Sequence, residues 1–143
     1  MVQARQGTQK PLTTSTTPLF NILVVDDEPD ITTTLKIGLE NKGFAVDTYN
    51  DPALALSNFK PDLYNMVLLD IKMPALNGFE LCQEIGKKDE KVKVCFITAF
   101  EVYYDQLKKD FPKLDVGCFI KKPMDIDNLV ERIRQELQSE LSQ

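Results

Sequence analysis

The sequence predicts a doubly wound α/β domain, in which a five-stranded parallel sheet carries helices on both faces. Two observations lead to this prediction. Short apolar runs at residues 22–25, 66–69 and 94–97 lack polar alternation, as strands buried on both faces do. Segments of helical period separate these runs, and the right-handed crossovers of such strand and helix repeats leave few other topologies. The length of 143 residues suits one domain with at most a short appendage.

Helix one, strand two and helix two follow the first apolar run. Helix one begins at Pro29, which suits a first helical turn, and ends at Gly43, a common stop signal. Strand two is predicted over residues 44–49, with a weaker sequence signal than the continuous apolar runs. Asp51 suits the N-cap of helix two, because its side chain accepts a hydrogen bond from a free helical N–H.

Three further helices and one weak strand complete the predicted order. Asn77 leads into helix three, helix four is predicted over residues 102–111, and strand five over residues 117–120. Helix five, over residues 126–137, carries one apolar stripe with charged residues opposite. Such a stripe is typical of a helix that packs on a core.

The amino-terminal segment differs in composition from the rest of the chain. Residues 1–19 are rich in Thr, Gln and Pro and show no period, which predicts a disordered leader before a folded domain at residues 20–143. The chain has 17 basic and 22 acidic residues, and two of the basic ones lie in the leader. The predicted domain is therefore acidic, which argues against direct binding of nucleic acid through its phosphates.

Histidine and cysteine usage excludes several classes of function. The chain contains no histidine, so it lacks the commonest general base and the usual zinc ligand, and most hydrolase mechanisms are excluded. Cys82, Cys95 and Cys118 lie in apolar runs without C-x-x-C spacing, which predicts three buried, reduced thiols. No apolar run approaches the roughly 18 residues of a membrane span, and no signal core is present, so we expect a cytoplasmic protein without membrane insertion.

Polar side chains follow four strands of the predicted sheet. They are Asp26 and Asp27 after strand one, Asp70 after strand three, Thr98 after strand four and Lys122 after strand five. Each alone has an ordinary explanation as a helix cap, a turn residue or a strand end. Together they lie at the carboxyl edge, where such sheets bind ligands, and three converging carboxylates suit Mg²⁺. A divalent ion, a nucleophilic carboxylate, a hydroxyl and an ammonium group are the groups needed to form an aspartyl phosphate.

Four motifs in the same order and spacing resemble the receiver domain of two-component response regulators. They are residues 22–29 (ILVVDDEP), residues 68–74 (LLDIKMP) with Gly78 following, residues 97–99 (ITA) and residues 119–123 (FIKKP). The resemblance covers about residues 21–141. It implies a flavodoxin-like fold with strand order 2-1-3-4-5, and a role in phosphorelay signal transduction.

The resemblance also implies roles for the residues at the strand ends. Asp70 would accept a phosphoryl group from a phosphohistidine on a sensor histidine kinase or a phosphotransfer protein. The implied Mg²⁺ ligands are Asp26, acting through water, Asp27, Asp70 and the backbone carbonyl of Lys72. Thr98 and Lys122 would contact the phosphoryl oxygens, which makes Asp70, Thr98 and Lys122 the predicted catalytic residues. We therefore expect a phosphoacceptor that catalyses its own phosphotransfer and slow dephosphorylation rather than an enzyme, with Mg²⁺ and no organic cofactor.

A conformational switch is a further implication of the resemblance. Thr98 would move toward the phosphate, and the ring of Phe119 would turn into the vacated space. The changed surface would be the face formed by predicted helix four, strand five and helix five, which would control a downstream protein target. The same face is the expected site of any homodimer.

Three residues are predicted to control access to the phosphate. Small Ala99 leaves room for the phosphoryl group, whereas Lys72 and Phe100 would flank the entrance used by an attacking water and slow dephosphorylation. The resemblance implies a cis peptide bond before Pro123. A trans bond is the default for proline, so the sequence leaves this open.

Three other functions stay open at the level of sequence. A receiver that binds partners without phosphorylation would not need all of Asp70, Thr98 and Lys122. A Mg²⁺-dependent phosphohydrolase would use Asp70 as nucleophile, but such enzymes commonly place a second carboxylate where Lys72 lies. A flavodoxin-like cofactor carrier lacks support, because no phosphate-cradling glycine loop is present. The cognate kinase, the target, and whether the domain acts alone or within a longer regulator are also left open.

Overall fold

The computed structural model describes residues 20–99, 109–110, 112, 118–122 and 124–141. The strands are β1 (Asn21–Val25), β2 (Ala45–Tyr49), β3 (Met66–Asp70), β4 (Lys93–Thr98) and β5 (Phe119–Lys121). The helices are α1 (Pro29–Asn41), α2 (Pro52–Asn58), α3 (Gly78–Lys88) and α4 (Ile126–Leu141). Helix α4 corresponds to the fifth helix predicted from the sequence. The leader and nearly all of the helix predicted over residues 102–111 lie outside the described residues.

The sheet has the predicted order, β2-β1-β3-β4-β5, and every neighbouring pair of strands is parallel. Both the doubly wound α/β class and the flavodoxin-like strand order are therefore confirmed. Val25, at the end of β1, pairs with Tyr49 on one side and with Leu69 on the other. This register places the carboxyl ends of the central strands at one edge of the sheet.

Apolar side chains cover both faces of the sheet. On β1, Ile22 and Val24 face a layer formed with α1 and α4, whereas Leu23 and Val25 face a layer formed with α2 and α3. All five residues of β3 are buried. Because each face needs its own apolar side chains, the central strands β1 and β3 contain no polar alternation, which explains their continuous apolar runs in the sequence. No helix among the described residues is both long enough and apolar enough to cross a membrane.

The helix ends follow the predicted signals. Pro29 is the first residue of α1, and Gly43 follows the helix with φ of 98°, a conformation that glycine adopts without strain. The side chain of Asp51 accepts a hydrogen bond from the N–H of Ala53 at 2.9 Å. Asn77 and Glu80 form a capping box at the start of α3. These caps determine where α2 and α3 begin relative to the edge of the sheet.

The prediction of three reduced thiols is wrong for two of the cysteines. Cys95 on β4 and Cys118, which precedes β5, form a disulfide bond, and the buried Cys82 takes no part in it. Phe96 pairs with Phe119 across β4 and β5, so the residues before them are neighbours as well. A separation of 23 residues carries no signal of this proximity in the sequence. Only the pairing of the two strands brings the sulfur atoms together.

Candidate functional site

Three carboxylates meet at the carboxyl edge of the sheet. Asp26 follows β1, Asp27 is the next residue, and Asp70 is the last residue of β3. One carboxylate oxygen of each lies within 4.8 Å of those of the other two. Asp26 is 2% exposed and Asp70 is 7% exposed. The parallel register of β1 and β3 therefore assembles the acidic cluster, Asp26, Asp27 and Asp70, that the sequence predicts.

The ammonium group of Lys122 lies beside the acidic cluster. Its Nζ donates a hydrogen bond to Oδ2 of Asp26 at 2.8 Å and lies 3.5 Å from Oδ1 of Asp70. Its distance to Oε1 of Glu28 is 3.9 Å. Sequence reasoning did not select Glu28, although its place directly after the paired aspartates was a usable signal. Lys122 thus pairs most closely with Asp26 and leaves net negative charge at the site.

Burial and neighbouring charges shift the pKa values of this group. Burial, followed by the charge of Asp26, raises the pKa of Asp70 from 3.8 to about 6, although Lys122 and the N–H of Ile71 oppose the shift. Burial is also the largest influence on Lys122 and lowers its pKa. The hydrogen bond and charge of Asp26, with the charge of Asp70, outweigh burial, so the pKa of Lys122 is raised overall. Lys122 therefore stays a cation, and ionisation of Asp70 is costly without further positive charge.

The donor set fits a hard divalent cation. Three carboxylates supply only oxygen ligands, which is the preference of Mg²⁺. The carboxylate of Asp27 is half-buried and accepts no hydrogen bond from any residue that the structure describes. A cation among these groups would offset the charge of Asp26, which together with burial raises the pKa of Asp70.

Comparison with known proteins shows to which family the chain belongs. Residues 22–134 match the family model described as the response regulator receiver domain. The chain belongs to this family. This receiver domain is 33% identical over 121 residues to response regulator ArlR of Staphylococcus epidermidis, a match that covers 83% of the chain and 53% of that protein. It therefore spans about half the length of the relatives that it matches.

Solved structures resemble the receiver domain over most of its length. The CheY-like receiver domain protein of Methanospirillum hungatei JF-1 has a TM-score of 0.74 and 25% identity, covering 87% of this chain and 98% of that one. Response regulator protein TrrA of Thermotoga maritima, solved in complex with Mg²⁺-BeF, has a TM-score of 0.67 and 32% identity. That match covers 82% of this chain and 98% of the other. Both matches indicate that the described chain shares the overall fold of these receiver domains.

Thr98 of the receiver domain lies at the same edge as the acidic cluster. It is the last residue of β4 and is buried. Its carbonyl accepts a hydrogen bond from the N–H of Lys122 at 2.8 Å, which joins the chain just after β5 to the end of β4. The structure thus brings the backbones of Thr98 and Lys122 together beside the carboxylates.

The predicted access residues are only partly described. Ala99 and Lys72 are exposed, which is compatible with places at the entrance of the site. Phe100 and Pro123 lie outside the described residues, and so does the peptide bond whose isomer was left open. The access role of all three candidates, Lys72, Ala99 and Phe100, stays a prediction.

Phe119, the predicted switch residue, belongs to a cluster of three aromatic rings. Its ring stacks on Phe96 with centroids 5.1 Å apart, and Phe79 of α3 lies 6.4 Å from it. Phe119 is half-buried on the sheet face that α2 and α3 cover. A rotation of this ring would therefore change contacts with both β4 and α3.

Gly78 holds the loop that follows Asp70 close to α3. Its N–H donates a hydrogen bond to the carbonyl of Ile71 at 2.8 Å. A Cβ atom added at Gly78 would overlap the backbone carbonyl of Asp70. No flexible side chain is available to yield there, so glycine is required for this close approach.

Gly78→Ala is therefore expected to lower the free energy of unfolding by about 2 kcal/mol, because the backbone at Asp70 must shift. Urea unfolding of the full chain measures this change. Gly86→Ala, in the same helix, is the matched control, since a Cβ there would meet no atom within 4 Å. It should raise the free energy of unfolding by up to about 1 kcal/mol through helix propensity. Equal stabilities of the two variants would contradict the steric argument.

Proposed function

We propose that this receiver domain is a phosphorylation-dependent signalling switch whose phosphoacceptor is Asp70. The donor is a phosphohistidine on a sensor histidine kinase or a phosphotransfer protein. The clustering of three carboxylates within 4.8 Å, with the Lys122 ammonium beside them, carries this proposal. Membership of the response regulator family supports the coarser statement, that the chain acts in two-component signalling.

The proposed reaction forms a bond between a carboxylate oxygen of Asp70 and phosphorus while the bond from phosphorus to the donor imidazole breaks. Asp70 must be ionised to attack, and because burial raises its pKa to about 6, positive charge nearby favours the reactive carboxylate. Lys122 and the hydroxyl of Thr98 would donate to the phosphoryl oxygens, on which charge builds up in the transition state. The domain then supplies the catalytic groups for its own phosphorylation.

A bound Mg²⁺ would neutralise the carboxylates and the phosphoryl oxygens. We propose Asp27 and Asp70 as ligands, with Asp26 acting through water and the backbone carbonyl of Lys72 as a further ligand. Asp26 already accepts hydrogen bonds from the N–H of Glu28 and from Lys122. Its carboxylate is therefore held in place before any cation arrives.

The proposed output depends on Thr98 and Phe119. Phosphorylation adds about two negative charges beside Thr98, which biases a two-state rearrangement of Phe119 and of the surface formed by β5, α4 and the helix predicted over residues 102–111. This surface would bind a downstream protein target, and any homodimer would form through it. We place this activity in the cytoplasm, with no direct contact to nucleic acid and no insertion into a membrane.

The test is intact-mass spectrometry of the full chain and of Asp70→Ala after incubation with Mg²⁺ and acetyl phosphate. A single adduct of about 80 Da in the wild type, labile to base and missing from the variant, is expected for an aspartyl phosphate. A beryllofluoride titration provides a second readout of the same site. Failure of both would favour a scaffold that works without phosphorylation, and continuous turnover of phosphate esters would favour a phosphohydrolase.

We propose further that Lys72 and Phe100 shield the phosphate from attacking water, whereas small Ala99 leaves it space. Lys72→Asn combined with Phe100→Glu should shorten the lifetime of the aspartyl phosphate about tenfold, which corresponds to roughly 1.4 kcal/mol in the barrier. The decay of the mass adduct after removal of the phosphodonor measures this lifetime. Lys60→Asn, at an exposed position after α2, is the control. An unchanged lifetime in the double variant would contradict the shielding role.

A further inference from the structure

We propose that Asn50 is a positioning residue for the metal site, where it holds the peptide group between Asp26 and Asp27 and thereby aims the Asp27 carboxylate. This inference rests on the proposed function, because it concerns the same Mg²⁺ site. Asn50 follows β2 and belongs to none of the motifs that indicate the site in the sequence. It acts on the carboxylates from the neighbouring strand.

The side-chain amide of Asn50 uses both of its hydrogens. Nδ2 donates to the backbone carbonyl of Asp26 at 2.8 Å and to Oγ1 of Thr32 at 2.9 Å. The N–H of Asp26 donates to the carbonyl of Tyr49 at 3.1 Å. The pairing of β1 with β2 ends at Val25 and Tyr49. Beyond this point, the side chain of Asn50 supplies a hydrogen-bond donor to the carbonyl of Asp26.

The carboxylates of Asp26 and Asp27 are held in different ways. Oδ1 of Asp26 accepts the N–H of Glu28 at 2.9 Å, and Oδ2 accepts Nζ of Lys122 at 2.8 Å. The Asp27 carboxylate has no hydrogen-bond donor among the described residues. Its position therefore depends on its own backbone, and the Asp26 carbonyl that Asn50 binds belongs to the peptide group that leads into Asp27. Loss of this hydrogen bond would let that peptide group rotate.

The second hydrogen bond of Asn50 anchors the amide to α1. Thr32 is buried, and its hydroxyl donates to the carbonyl of Pro29 at 3.1 Å. The side chain of Asn50 therefore joins the backbone of Asp26, just after β1, to Thr32 in α1. Two variants separate the two hydrogen bonds, since Asn50→Ala removes both and Thr32→Val removes only the one to the helix.

The experiment is a calorimetric titration of Mg²⁺ into the full chain, with thermal unfolding of the metal-free protein measured in parallel. Asn50→Ala is expected to raise the Mg²⁺ dissociation constant about tenfold, the usual effect of removing a group that orients a metal ligand. Thr32→Val should change the Mg²⁺ dissociation constant less than about threefold, because the hydrogen bond from Asn50 to the Asp26 carbonyl remains. Asn58→Ala is the matched control, because Asn58 also donates to a backbone carbonyl, that of Leu54 at 2.9 Å, but within α2. It should leave the dissociation constant unchanged.

A purely structural role would lower the unfolding temperature of the metal-free Asn50→Ala protein without changing its Mg²⁺ affinity, and that result would overturn the inference. Asn50→Ser provides a second variant if Asn50→Ala is too unstable to titrate. Saturating Mg²⁺ should return the rate at which acetyl phosphate phosphorylates Asn50→Ala to the wild-type value, because the substitution reduces only the affinity for Mg²⁺. If the wild type binds Mg²⁺ but Asn50→Ala binds it equally well, the role of Asn50 is wrong and the proposed function stands. If the wild type neither binds Mg²⁺ nor is phosphorylated, both are wrong.

Discussion

Asp70→Asn is expected to raise the free energy of unfolding by about 2 kcal/mol above pH 7 in the absence of divalent cations. The pKa of Asp70 is raised from 3.8 to about 6, so the folded state favours the protonated acid. Two pKa units correspond to about 3 kcal/mol, and screening by the solvent near the site reduces this to about 2 kcal/mol. The amide of asparagine avoids this cost. Urea unfolding as a function of pH measures the difference.

The pH dependence of this effect has a definite sign. Between about pH 4 and pH 6 the folded protein binds more protons at Asp70 than the unfolded chain, so wild-type stability falls as the pH rises. The advantage of Asp70→Asn should therefore be absent below about pH 4 and complete above about pH 7. Mg²⁺ should reduce the difference in the free energy of unfolding between Asp70→Asn and the wild type, because it stabilises the wild type. Glu90→Gln, at an exposed position, is the control; an advantage that does not vary with pH would contradict the assignment to Asp70.

Lys122→Met is expected to have the opposite effect and to lower the free energy of unfolding by about 3 kcal/mol at neutral pH. Methionine keeps most of the length of the side chain but removes the cation that contacts Asp26 and lies beside Asp70. The carboxylates would then be left close together without Lys122 to offset their charges. Under the proposed mechanism, the rate of phosphorylation by acetyl phosphate should also fall about 100-fold, because a donor to the phosphoryl oxygens is lost.

Measurements of Lys122→Met at two pH values and with Mg²⁺ test the electrostatic reason. The loss of stability should shrink at acid pH, where the carboxylates are protonated, and should recover in part when Mg²⁺ replaces the missing cation. Lys121→Met changes the neighbouring, exposed lysine and is the matched control. Equal stabilities of the two lysine variants at neutral pH would contradict a central role for the Lys122 ammonium.

The sequence by itself predicts the fold because its signals are local. Strands buried on both faces must be apolar along their whole length, which explains the runs that become β1, β3 and β4. Pro29, Gly43, Asp51 and Asn77 mark helix ends through their own backbone and hydrogen-bonding preferences. The acidic cluster follows from the fold, because parallel strands carry the residues after them to one edge of the sheet.

Only the tertiary structure decided which of these groups touch one another. Strand pairing joins Cys95 to Cys118, and side-chain geometry makes Asp26 the closest partner of Lys122. The hydrogen bonds of Asn50 likewise join residues of different strands and helices. These contacts depend on register and rotamer across long separations in the chain, and local periodicity carries no information about either. Sequence therefore determined the composition of the site, whereas tertiary packing determined its internal contacts and the charge balance that they produce.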